Sequence, residues 1–463
     1  MPTAAKPSTL EKALEINLDP NRYGTFAEIG AGQEVVRWFF QAGGAAGTIS
    51  KSISAYDMQV SDAIYGKCQR YVCRERLEAM LDYEQKLNRE RLTESRGDQS
   101  CFFSFADTVS ARNYQGTNEC HAWMGIRFQA APGADDSNVI IHARMLDDTN
   151  ASQQEALGIV GVNLVHGAYN LHDSPDRLVA SLIDGLSAQR IEIDMIDVSG
   201  PAFDGVDNRI MSLRLVQLGL SGAAMFAANG TVLQPSEALR KRSLVIERGR
   251  FRPVTHVNID MLDATMARFS KDTDDPIPIM EISLHTLSDN GEVCLDDFVS
   301  RADVLATTGN TVMISDFPEY YRLAAYLSRC TDRPIAMAMG LSTLQSLFDE
   351  KFYSNLEGGV LESLGRLFKN RIKLFVYPQK NRDSGDILGL HDLQLSDDLM
   401  HLFAFLHARE CIVPLDNIAP QLLDIHSPDV LNMIASGSGE WKKLVPDCVA
   451  DAIVERNLFG YGG

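Results

Sequence analysis

The stretch 311-TVMISDFPEYYRLAAYLSRCTDRPIAMAMG-340 decides the fold class of this chain. Its two ends, 311-TVMISD-316 and 334-PIAMAMG-340, are short, continuous apolar runs, the pattern of strands buried on both faces. Between them Leu323, Ala324 and Leu327 recur at spacings of three and four, the period of one helical face. A strand, a helix and a strand of these lengths join naturally as a parallel pair with a helical crossover.

The same grammar extends outward. Strand 277-IPIMEISLH-285, helix 295-LDDFVSRADVLATTG-309, helices 341-LSTLQSLFDEKFY-353 and 360-VLESLGRLF-368, and strand 371-RIKLFVYP-378 come in order. Helices follow at 397-DDLMHLFAFLHAR-409 and 445-VPDCVADAIVERNLF-459. Residues 271–463 are therefore expected to form a doubly wound, mostly parallel α/β domain with C-terminal helices.

The first half reads as a mixed α/β domain over residues 1–270. A weak helix at STLEKALEI stops at Asp19-Pro20, a short one runs from Glu34 to Gln41, and one long amphipathic helix spans 61–92 with Cys68 and Cys73 on it. Three strands, 101–109, 121–129 and 138–146, lack any helical period between them and are expected to pair as an antiparallel meander. A helix from Ser152 to Tyr169 carries a capping-box pattern, Ser152 with Glu155. Strand 190-RIEIDMIDV-198, helix 207–220 and strand 222–229 read as a βαβ unit. IEIDMI at 191 and VNIDML at 257 form a faint echo between halves. The polar, Pro-containing segment 269-FSKDTDDPIP-278 is the expected boundary.

The net charge of −19 opposes a phosphate backbone, so no nucleic-acid partner is expected. The basic segment 240-RKRSLVIERGRFR-252 reads as a solvated turn beside a strand. No run of about 18 apolar residues occurs, and the N-terminus lacks a signal-peptide core, so no membrane partner and a cytoplasmic location are expected. Eight scattered cysteines fit reduced thiols, and no metal set is completed.

Four blocks, LDPNRYGTFAEIGAGQEVVRWFFQAGGAAGTISKSISAYDMQVSDAIYG, ECHAWMGIRFQ, QQEALGIVGVNLVHGAY and FRPVTHVNIDML, resemble a widespread family of bacterial proteins of similar length, over essentially the whole chain. Its members carry the labels nicotinate-nucleotide adenylyltransferase and TonB-dependent receptor. A receptor barrel needs many alternating strands of about ten residues, which are missing here. An adenylyltransferase of that type needs a His-x-Gly-His turn, also missing; the partial echo ISKS at 49–52 comes too early.

Candidate chemistry clusters in AGGAAGTISKS. Amides of Gly43, Gly44 and Gly47 are expected to cradle an anion, with hydroxyls from Thr48 and Ser50, a charge from Lys51, and Asp57 nearby. The spacing departs from a Walker loop. Glu28, between apolar neighbours, is the favoured catalytic acid, while Glu34 suits a helix start. Cys120 and His121 are adjacent on a strand and face opposite ways, so each needs a partner from elsewhere, such as His142 or His166. In the second half the strand-end residues Ser315-Asp316 and the Gly358-Gly359 helix start are expected at the sheet crevice.

Taken together these residues predict an enzyme binding a phosphorylated or nucleotide-like small molecule near 43–51, with no cofactor assigned. A nucleotidyltransferase of NAD metabolism is a lesser variant. The alternative is a non-catalytic ligand-sensing or assembly protein that forms a homo-oligomer through its helices.

Overall fold

The computed structural model describes residues 6–30, 32–289 and 292–462. The chain is α/β and divides into two compact units at Ser221/Gly222.

The first unit is built on a six-stranded sheet. Its strands are β1 (Arg22–Ile29), β2 (Ile49–Ile53), β3 (Cys101–Ser110), β4 (His121–Gln129), β5 (Asp136–Met145) and β6 (Ile191–Ser199), in the order β2-β1-β3-β4-β5-β6. β1 is parallel to β2 and β3, and the remaining neighbours are antiparallel, so the expected meander of three strands is present.

One face of this sheet packs on helices α1 (Thr9–Leu18), α2 (Glu34–Ala42) and, through Leu157, Val160 and Leu164, on the helix from Asn150 to Asn170. Phe26, Phe105, Met124, Ile126 and Ile141 supply the sheet's side of that core. The other face receives α4 (Arg74–Arg96), preceded by the short α3 (Met58–Tyr65); the 150–170 helix is α5. The long helix expected over 61–92 is thus two helices. Gly66, at φ +84°, ends α3, and residues 66–73 form a loop that carries Cys68. The start of α5 also differs: Thr149, not Ser152, is its cap and accepts the Ser152 amide at 3.2 Å.

Glycines in α5 set its approach to α2. A Cβ at Gly161 would stand 2.3 Å from Val35 Cγ2, and one at Gly158 would stand 2.9 Å from the Glu34 carbonyl. Only glycine allows the two backbones this close. Helices α6 (Pro175–Ser181) and α7 (Asn208–Gln217) complete that layer.

The second unit holds an eight-stranded sheet of β7 (Ala223–Phe226), β8 (Val232–Leu233), β9 (Leu244–Arg248), β10 (Ile277–Ser283), β11 (Thr311–Ser315), β12 (Ile335–Gly340), β13 (Ile372–Tyr377) and β14 (Ile412–Pro414). Its order is β14-β13-β12-β9-β10-β11-β7-β8. The six strands from β14 to β11 are parallel, and β7 and β8 are antiparallel additions. Winding starts at β9, runs outward through β10 and β11, then returns to β12 and runs the other way. That is the doubly wound order with its switch point between β9 and β12. Between β9 and β10 lies α8 (His256–Phe269).

Two organisational expectations change. Residues 222–270, placed by sequence with the first half, carry β7, β8 and the central β9 of this second sheet. The expected βαβ unit over 190–229 does not form, because β6 and β7 belong to different sheets. The βαβ unit of the first half is instead β1-α2-β2. The echo at 257 is a helix: Thr255 and Asn258 form a capping box that starts α8, whereas its counterpart at 191 is a strand.

Candidate functional site

In an open α/β sheet, ligand sites gather at the carboxyl ends of parallel strands. At that end of β1, Glu28 stands directly opposite Asp107 of β3, and each is only 1% exposed. Glu28 turns toward α2 and accepts the amides of Val35 at 2.8 Å and Val36 at 3.2 Å. It therefore supplies the cap that the sequence assigned to Glu34, and it already occupies the positive end of the helix. Burial, opposed by these two bonds and reinforced by Glu34, pushes its carboxyl up to about 7. Asp107 is pushed up by burial first and by Glu28 second; it accepts the Ile29 amide at 3.3 Å through one oxygen. Two carboxyls in a shared dry site do not both ionise easily, so the pair is suited to holding a proton.

A cleft of about 470 Å³ runs along α2, lined by Glu34, Arg37, Trp38, Gln41, Ser152 and Glu155. The indole gives a stacking surface, and the rim alternates charges and amide groups.

The glycine block lies at the other end of the same helix. Gly43 is the C-cap of α2 and Gly44 is left-handed, so the residues expected to cradle an anion follow a helix carboxyl terminus, whose exposed dipole is negative. The Gly47 amide bonds the Gly44 carbonyl, and the Thr48 amide bonds that of Ala45. Asn17 caps the helix end by donating to the carbonyls of Phe39 and Gly43 at 2.8 and 2.7 Å. Thr48 is buried and donates to the Asn17 carbonyl. Ser50 donates to the Gly24 carbonyl. Lys51 pairs with buried Glu84 of α4, which also accepts from Tyr65 at 2.8 Å. Asp57 caps α3, accepting the Gln59 and Val60 amides. Thr48 and Ser50 are thus committed to local backbone carbonyls and Lys51 to Glu84, while Gly43, Gly44 and Gly47 lie exposed at the helix end.

His121 does find its partner across the sheet. Its Nδ1 lies 2.9 Å from His142 Nε2, and His142 Nδ1 lies 2.6 Å from Asp194 Oδ1. The three come from β4, β5 and β6 on the face opposite the α2 core. Trp123 packs edge-on against His142 at 5.0 Å, and His142 and Asp194 are 2% and 1% exposed. A carboxylate at Nδ1 fixes the proton there, which leaves His142 Nε2 to accept. His121 must then donate from Nδ1, so its Nε2 carries a free lone pair. Burial first, then His142, lowers the His121 pKa to about 4. Arg144 sits opposite His121 in register and is held by Glu119 at 2.8 Å and Glu192 at 2.5 Å. The sequence signal for His142 was only its place on an apolar strand, and Asp194 had none beyond the acid in IEIDM.

Cys120 faces away from this chain of groups, with its sulfur 3.9 Å from the Asn118 carbonyl. His166, the other histidine weighed as a partner, pairs with Glu15 at 3.0 Å instead.

In the second unit, Ser315 donates to buried Glu281 at 2.5 Å, and Glu281 is clasped by Arg248. The Asp316 side chain is exposed while its amide joins Gly222. Gly358 precedes α12 (Gly359–Leu367; α9, α10 and α11 being Leu295–Thr307, Tyr320–Cys330 and Leu341–Leu347), and its amide is taken by Glu362 at 2.9 Å, while Gly359 is left-handed. Each of these positions is already bonded within the second unit. What the switch point does hold is Glu247, fully buried, pushed up to about 8 by burial, with Asn258 donating to it at 2.8 Å.

No family model and no curated protein matches the chain. Among solved structures, the competence/damage inducible protein CihA from Agrobacterium tumefaciens aligns over 35% of this chain and 97% of its own, at 14% identity and TM-score 0.26. A CinA superfamily protein from Enterobacter cloacae aligns over 36% and 96%, at 11% identity and TM-score 0.27. Likenesses this faint carry no argument about function. Among the described residues, no helix is long and apolar enough to cross a membrane.

Proposed function

We propose that the first unit is an enzyme that transfers a proton on a small molecule, with His121 as the base, and that a separate cleft along α2 takes a nucleoside-like ligand. The observation that carries this reading is His142, which bridges His121 and Asp194 at 2.9 and 2.6 Å. Proton uptake at His121 Nε2 would place positive charge one imidazole away from a buried carboxylate that stabilises it. Asp194 and His142 act through His121 as positioning residues.

A separate ligand surface, the cleft along α2, lies on the other face of the sheet from His121; there Trp38 offers a face for a heteroaromatic ring and Glu34 and Glu155 suit sugar hydroxyls. A phosphate, expected earlier at Gly43–Gly47, finds its best counter-charge in Arg37. The helix start of α2 is already taken by Glu28.

A panel of nucleosides and their phosphates incubated with wild type and His121→Gln tests this reading. Turnover reduced roughly 10²–10⁴-fold in the variant supports it. Equal turnover in both overturns it. Occupation of the α2 start by Glu28 favours a second reading, a non-catalytic ligand sensor; that protein would show a ligand-induced rise in melting temperature with no product.

A further inference from the structure

Loop 66–73 and the first turn of α4 bring three donor atoms together on the first unit. Cys68 Sγ lies 3.5 Å from Cys73 Sγ and 3.4 Å from Glu75 Oε2, and all three donors fall within 4.8 Å of one another. We infer that Cys68, Cys73 and Glu75 bind one zinc-class divalent cation, a site separate from the proton-transfer centre proposed above.

The distances fit that ion. With metal–sulfur bonds of about 2.3 Å and a metal–oxygen bond of about 2.1 Å, tetrahedral angles put two sulfurs about 3.8 Å apart and sulfur and oxygen about 3.6 Å apart. Two edges of such a tetrahedron are therefore already present to within a few tenths of an ångström. Thiolates select borderline-soft ions over magnesium or calcium.

The fold fixes where Cys73 stands. Cys73 is the N-cap of the 23-residue α4 and accepts the Arg76 amide at 3.4 Å, at the positive end of the helix. The sequence 66-GKCQRYVCRER-76 adds Lys67, Arg70, Arg74 and Arg76, of which Arg76 pairs with Asp62 and Arg74 with Glu78 and Asp197. The Cys73 thiol now donates to the Arg70 carbonyl at 3.2 Å, a bond given up on metal binding. Binding is balanced by release of two thiol protons to solvent, so affinity falls as pH falls. Three protein donors leave the fourth position to water or a ligand. In sequence the pair was placed on one helix; the break at Gly66 is what folds Cys68 back toward Cys73.

The test uses the full chain, stripped with a chelator and titrated with Zn²⁺, or with Co²⁺ as a spectroscopic probe. One ion per chain with a thiolate-to-cobalt charge-transfer band is expected. Cys68→Ser, at a half-exposed loop position, should abolish the band. Glu75→Gln should weaken binding by at least the roughly 10–100-fold typical of losing a ligand's supporting partner. Far-ultraviolet circular dichroism confirms that each variant folds. The inference fails if Cys68→Ser keeps the band, if the stripped, reduced chain takes up no ion, or if Cys68 and Cys73 are recovered only as a disulfide that reduction does not convert to a metal-binding form.

Discussion

Glu28 and Asp107 face each other across β1 and β3, both almost fully buried, and only Glu28 is satisfied at both oxygens, by the first amides of α2. The pair makes the first unit sensitive to pH. In the unfolded chain the Glu28 carboxyl ionises near 4.5, and in the folded chain near 7. Between these values the folded state binds more protons, so stability from this site is full below about pH 4.5 and is lost as pH rises to about 7. Asp107→Asn removes the neighbouring charge while keeping an acceptor for Ile29. The variant should gain about 1 kcal/mol or more at pH 8 relative to pH 5, read as a melting-temperature difference from wild type at each pH. Equal shifts at both pH values contradict the coupling.

His121 gives the opposite slope. Its folded pKa of about 4 lies below the ordinary 6.5, so the unfolded chain binds more protons between these values. Stability from this site is present above about pH 6.5 and is lost as pH falls toward 4. His121→Gln should flatten the acid side of the stability profile. An unchanged acid limb means that His121 is not held neutral by burial.

The crossing of α2 and α5 predicts a steric couple. Gly161→Ala should destabilise the first unit by about 1–3 kcal/mol, because its new methyl meets Val35 at 2.3 Å. Val35→Ala alone loses core volume, yet combined with Gly161→Ala it should cost less than the sum of the two. Additive losses in chemical denaturation contradict a direct contact.

The unit boundary is a further prediction. A fragment of residues 222–463 should fold cooperatively, whereas 271–463 lacks β9, the strand from which the second sheet winds both ways, and should be open to protease. Equal protease resistance of the two fragments rejects the boundary at Ser221/Gly222.

Much of the second unit was legible because its strands are continuous apolar runs and its helices have a clear period; β10 to β13 fall within two residues of their expected limits. The boundary was hidden because residues 270–276, polar as a linker, are only the turn between α8 and β10. In the first unit β1 and β2 escaped notice for a local reason. β2 is the half-exposed segment ISKSI at a sheet edge, and it reads as a polar loop. Without β2, Thr48 and Ser50 looked like open donors, whereas they bond the carbonyls of Asn17 and Gly24 where the chain enters that strand. Lys51 looked free because Glu84, its partner, lies 33 residues away on α4. The relay at His121 was half legible: opposed side-chain directions ruled out Cys120 and left His142 or His166 as a partner, but the choice of His142 and the place of Asp194 needed the β4-β5-β6 register.

The central claim is that His121 presents an unprotonated Nε2 because Asp194 orders the two imidazoles. Long-range nitrogen–proton NMR of ¹⁵N-histidine-labelled chain at pH 7 reads both tautomers directly. Protons on Nδ1 of His142 and on Nδ1 of His121, with the His121 tautomer scrambled in Asp194→Asn, are the predicted result. A proton on His121 Nε2 in the wild-type chain would contradict it.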